Sequence, residues 1–120
     1  MGDTLLICLN PGWGGPEALE AGLTLAATLG MELAVLYVVT MRGRRRLFAR
    51  WRWERALRRA RAAAGPLGVG IREVTVTAHS VPDGLFVAAE TLGAKVALPV
   101  AEGRRVVRLE AVSLPLAPRR

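Results

Sequence analysis

Residues 4–39, TLLICLNPGWGGPEALEAGLTLAATLGMELAVLYVV, decide how this chain folds. Thr4 to Leu9 is a short apolar run, and Asn10 to Gly15 interrupts it with residues suited to turns and close backbone approach. Pro16 stands where a first helical turn tolerates a missing amide hydrogen, so a helix is expected to begin there. Ala18, Leu19, Leu23, Ala26, Ala27 and Leu29 follow at helical spacing, and Gly30 sits where a left-handed C-cap is needed. Leu33 to Val39 is a second continuous apolar run. Continuous apolar strands joined by a helix predict a parallel sheet covered on both faces. The loop after the first strand of such a sheet lies at the carboxyl edge, where ligands usually bind.

Downstream, Ala49, Trp53, Ala56, Leu57, Ala60 and Ala64 form one apolar stripe, with Arg50, Arg52, Arg55, Arg58, Arg59 and Arg61 largely outside it. This predicts a second covering helix, closed by Gly65 and Pro66. Trp51 falls off the stripe, toward Leu47, Arg55 and Arg58, which suits stacking on an arginine or a subunit contact. Ile71 to Thr77 alternates apolar and polar residues, as a strand at or near an edge does. Ser80 and Asp83 have capping-box spacing ahead of a helix from Val81 to Leu92, closed by Gly93. Lys95 to Val100 is then a strand, and Thr91-Leu92-Gly93 echoes Thr28-Leu29-Gly30, the same helix-to-strand joint used twice. Arg105 to Val112 fits a short amphipathic helix or an alternating strand; the expectation adopted is a shortened helix, then a short edge strand from about Leu114 to Leu116.

The 120 residues fit one domain spanning 1–120, which at this size buries roughly two thirds of its unfolded surface. The longest apolar run has seven residues, against about 20 for a spanning helix, so membrane insertion is not expected. Asp3 near the start argues against a leader peptide. The single cysteine, Cys8, excludes an intramolecular disulfide and suits a reducing, cytoplasmic setting as a small buried thiol. Net charge is +7, and it is local: Arg42 to Arg61 holds ten arginines and one acid, Glu54, which makes that segment +9 and everything else −2.

Motifs for chemistry are absent. Gly12-Trp13-Gly14 follows a strand, but a dinucleotide fingerprint would need its third glycine at Glu17 and an acid where Val38, Val39 and Thr40 stand. No GK[ST] sequence exists, which removes the phosphate-binding P-loop. The lone histidine, His79, precedes a helix start and reads as a solvated loop residue; no base stands beside a nucleophile, and no metal-ligand spacing appears. No enzymatic activity is expected.

Leu5-Leu6-Ile7-Cys8-Leu9-Asn10-Pro11-Gly12 up to Pro16-Glu17-Ala18-Leu19, then Ala26-Ala27-Thr28-Leu29-Gly30 and Leu36-Tyr37-Val38-Val39, resembles the opening of universal stress protein domains. Ser80 to Val100 resembles their next helix and strand. The resemblance implies an α/β fold, a single-domain three-layer sandwich with a mostly parallel Rossmann-like sheet of order 3-2-1-4-5, here with a shortened C-terminal helix and strand. It further implies a cytoplasmic stress-response protein, commonly a homodimer, in a family of which some members bind ATP. Any nucleotide, ATP or AMP, would then lie against Leu9, Asn10, Gly12, Val38, Gly103 and Ser113.

The departures from the family pattern oppose that ligand. Nucleotide-binding members end the first strand in aspartate, where Asn10 stands, and carry a Gly-x2-Gly-x9-Gly-Ser/Thr loop after the fourth. The glycine positions here are Pro99, Glu102 and Val112; only Ser113 matches. Proline removes an amide donor, and Glu102 sets a negative charge near a phosphate. Gly103, Arg104 and Arg105 read as a solvated basic turn. Domains inside potassium-responsive sensor kinases also resemble this chain in lacking the glycine loop and having a basic face. The expectation is a binding or regulatory module with weak or no ATP binding, no required cofactor, and a homodimer or other protein partner. The alternative is nucleic-acid or anionic-surface binding through residues 42–61.

Overall fold

The computed structural model describes residues 3–10, 13, 18–40, 46–102 and 105–112, with the backbone alone at 46–53, 100–101 and 105–108. Eight elements follow one another: β1 (Thr4–Cys8), α1 (Leu19–Leu29), β2 (Glu32–Thr40), α2 (Arg46–Leu67), β3 (Ile71–Ala78), α3 (Val81–Leu92), β4 (Lys95–Glu102) and β5 (Arg105–Val112). They build one sheet of order β3-β2-β1-β4-β5. β1, β2, β3 and β4 run parallel, with Leu6 beside Ala34 on one side and Val96 on the other.

The period-two geometry of a strand explains the continuous apolar runs, because both faces are buried. Leu5, Ile7, Leu9, Leu33 and Val35 pack with Leu19, Leu23 and Ala26 of α1 and Leu57, Ala60 and Ala64 of α2. Leu6, Cys8, Ala34, Leu36 and Val38 face the other way, onto Leu85, Ala88 and Ala89 of α3. Two helices thus cover one face and one helix covers the other.

The repeated Thr-Leu-Gly joint is the same structure twice. Gly30 and Gly93 adopt left-handed φ values of 68° and 60°. The amides of Met31 and Ala94 each return to the carbonyl five residues back, Ala26 and Ala89, at 2.8 and 3.0 Å. α3 starts as its sequence predicts, with the Ser80 hydroxyl accepting from the Asp83 amide at 3.2 Å. β3 is an edge strand, as its alternation predicts.

Two expectations need correction. α2 runs through Gly65 and Pro66 to Leu67 instead of stopping there. Proline in a last turn forfeits one hydrogen bond, and Gly68, at φ 68°, supplies the cap, its amide meeting the Gly65 carbonyl at 3.1 Å. The larger correction concerns the expected shortened C-terminal helix: Arg105–Val112 is β5, antiparallel to β4, with Val96 opposite Val112 and Glu102 opposite Arg105. Only two residues separate the strands, which suits a hairpin, and pairing satisfies backbone groups that β4 would otherwise leave open. A register shift at Val100/Ala101 accommodates the pairing. The strand expected over Leu114–Leu116 lies outside the described residues.

Candidate functional site

Strand order reverses between β1 and β4, so the carboxyl ends of these two strands mark the topological switch point of the sheet. β4 pairs with β1 over Lys95–Ala97 and with β5 over Val96–Glu102, so its upper half continues beyond β1 in company with β5. Leu9, Asn10 and Val38 lie at the carboxyl ends of β1 and β2, beside this point.

Asn10 decides what they do there. After the Leu9 amide donates to the Leu36 carbonyl at 2.9 Å, the next rung of the β1–β2 ladder is built from a side chain. Asn10 Nδ2 donates to the Val38 carbonyl and its Oδ1 accepts from the Val38 amide, both at 2.8 Å. A carboxamide carries a donor and an acceptor side by side, like a peptide group, so it prolongs the pairing past the end of β1. The Cys8 thiol also donates to Oδ1, at 3.3 Å. Asn10 is buried at 7% exposure, so these bonds replace its water. An aspartate at this position would lack the donor for the Val38 carbonyl.

Both polar groups of the Val38 backbone are therefore engaged, and its side chain lies in the α3-side core. Leu9 points into the opposite core. Two of the six residues expected to hold a nucleotide, Asn10 and Val38, thus form a strand-to-strand clamp. Gly12, Gly103 and Ser113 lie outside the described residues. Pro99 and Glu102 belong to β4, facing Leu109 and Arg105 across the hairpin.

Two features had no clear signal in the sequence. Trp13 turns back over the end of β1, its amide donating to the Asn10 carbonyl at 3.0 Å, and packs half-buried on the Leu6–Cys8–Val38 core. Its place in a glycine-rich loop was the only hint. Gly84 brings α3 down onto Val38: a Cβ there would lie 2.5 and 2.7 Å from the two Val38 methyl groups. The Cys8 thiol, buried as its place in the first strand predicts, has its pKa raised by that burial, only partly offset by a backbone hydrogen bond at Asn10.

Elsewhere, His79 is exposed in the bend between β3 and α3. Among the described residues no three His, Cys, Asp or Glu side chains are placed to hold a metal ion, and no helix is long and apolar enough to cross a membrane. An open groove of about 290 Å³ lies at the opposite, amino edge of the sheet, where α1 and α2 end, between Met31, Leu67 and Val69. Glu32 lines it and is held by Arg72 at 3.2 Å.

The sheet order, its cover on both faces and the switch point between β1 and β4 define a Rossmann-like α/β protein. Its particular form is the universal stress protein fold. A crystal structure of a protein from the universal stress protein family of Burkholderia pseudomallei superposes with a TM-score of 0.56 at 26% identity, covering 78% of each chain. A universal stress protein crystallised in complex with cAMP gives a TM-score of 0.58 at 17% identity, covering 87% of this chain and 77% of the other. No protein-family model matches the sequence, and no curated protein matches it significantly.

Proposed function

We propose that this chain is a universal-stress-protein-like binding or regulatory module, non-enzymatic and cytoplasmic, in which ATP binding is weak or lost. The observation that carries this reading is the clamp. The polar groups at the carboxyl end of β1 and β2 are committed to joining those strands, through Asn10 and both backbone groups of Val38. β4 supports it further, because Pro99 and Glu102 are paired strand residues where ATP-binding relatives of this fold would present bare glycine amides. A universal stress protein in complex with cAMP shares the fold, which makes cAMP and AMP, with shorter phosphate chains, the nucleotides to compare with ATP. Self-association is the other part of the proposal. β3 and β5 form the two edges of the sheet, and an edge strand offers unpaired backbone groups to a second copy.

The test is a thermal-shift titration with ATP and magnesium, cAMP and AMP, since a ligand that binds only the native state raises the melting temperature with concentration. No shift at millimolar ATP is expected. A saturable rise with ATP would overturn the loss of the phosphate site. Sedimentation analysis gives the oligomeric state in the same buffer, and a monomer at every concentration would refute the dimer.

A further inference from the structure

Most of the positive charge on this protein is unrelated to the clamp. α2 is 22 residues long, about 33 Å at 1.5 Å per residue, and carries seven arginines and one acid, Glu54. Its Leu57, Ala60 and Ala64 are all at or below 5% exposure against the sheet, which turns Arg55, Arg58, Arg59 and Arg61 outward. Arg61 is paired with Glu73 of β3 at 2.7 Å. Arg58 and Arg59 are exposed, and among the described residues no carboxylate lies within ion-pair distance of either. Acids on this side of the sheet are few: Glu54 on α2 itself, Glu20 on α1, and Glu73, which Arg61 engages; Asp83 and Glu90 lie on α3 across the sheet. The described outer surface of α2 therefore carries a net positive charge, continuous in sequence with Arg42, Arg44 and Arg45 just ahead of the helix.

We propose that this side of α2 is a docking surface for the phosphate backbone of a nucleic acid. Three properties fit that partner. All the cations of the helix are arginines, whose planar fork suits phosphate oxygens. Arg58 and Arg59 stand three and four residues after Arg55, about 4.5 and 6 Å further along the axis, so the three share one outer side of the helix along a strand's phosphates. Over its described side chains, the helix already turns Arg55, Arg58 and Arg59 outward, so engaging a polyanion needs no rearrangement. An anionic membrane is the poorer match. An interfacial helix must bury its apolar face in the lipid, and over residues 56–64 that face is already buried in the core.

The experiment is fluorescence anisotropy of the whole protein with a labelled 20-base-pair DNA duplex between 50 and 200 mM salt, repeated with phosphatidylserine vesicles as competitor. Binding is expected at 50 mM, with a log–log salt slope of about −3 or steeper, equivalent to three or more phosphates neutralised. The Arg58→Ala/Arg59→Ala double variant should make that slope shallower by about 2 while melting at the wild-type temperature, and Arg58→Lys/Arg59→Lys should keep it. Lys95→Glu, at an exposed site on β4, changes net charge by the same amount and should leave the slope in place. Absence of binding at 50 mM overturns the proposal. So does an equal loss of slope in the Lys95 variant, which would mean net charge alone, or full displacement of the duplex by vesicles at matched charge.

Discussion

The Asn10 carboxamide and the Val38 peptide groups exchange two hydrogen bonds of 2.8 Å, so that one side chain does the work of a strand residue. This single relationship joins the end of β1 to β2, and it occupies the position from which a ligand at the switch point would be addressed.

Replacing Asn10 by leucine keeps the volume and removes both partners of Val38. Leaving a buried donor and acceptor unpaired costs about 1–3 kcal/mol each, so Asn10→Leu should lower unfolding stability by at least ~2 kcal/mol. Urea denaturation measures it, as a lower midpoint at unchanged slope. A loss under half that size would mean that water replaces the carboxamide.

Gly84→Ala tests the second constraint on Val38. The new methyl would come within 2.5 Å of a Val38 carbon, and overpacking of this kind costs about 1–3 kcal/mol, which exceeds the ~1 kcal/mol alanine gains over glycine within a helix. Gly84→Ala should therefore destabilise, and combining it with Val38→Ala should show positive coupling of at least ~0.5 kcal/mol in a double-mutant cycle. Gly22→Ala is the contrast: its methyl meets Ile7 Cδ1 at 2.9 Å, the movable end of a side chain, so it should be near neutral.

Cys8 makes stability depend on pH in the alkaline range. Burial raises its folded pKa above the ordinary 9.0, so the unfolded thiol ionises first. Its contribution is complete below the unfolded pKa and is lost as pH rises through the folded one. The difference in unfolding free energy between wild type and Cys8→Ala should thus be flat below about pH 8 and should fall above about pH 9. A flat difference up to pH 10 would refute the desolvated thiol.

The Arg61–Glu73 pair, at 2.7 Å, is short but exposed, at 48% and 42% of its side-chain surfaces. Exposed ion pairs contribute roughly 0–1 kcal/mol, so Glu73→Gln should change the melting temperature little at 150 mM salt. A loss above ~1 kcal/mol would mark the pair as part of a wider network joining α2 to β3.

Much of the molecule was legible because its signals are local. The apolar runs of β1 and β2, the Ser80 cap and the two Thr-Leu-Gly joints each depend on residues within a few positions of one another, and each appears where the sequence places it. The site was legible only as a location. The sequence put Asn10 at the carboxyl edge of β1, but its bonds reach Val38, 28 residues away, and nothing local reveals such a partner.

The sequence by itself therefore determined the order of elements, the parallel sheet buried on both faces and the arginine-rich exterior of α2, because side-chain period and backbone chemistry act over a single turn or strand. Tertiary structure alone decided three things. Arg105–Val112, compatible with helix or strand in isolation, became β5 because β4 stood two residues away with an open edge. Gly84 became indispensable because Val38 lies beneath it. Asn10 became a structural clamp because the backbone of β2 passes within hydrogen-bonding reach of its carboxamide, and a buried polar group takes the partner that the fold supplies.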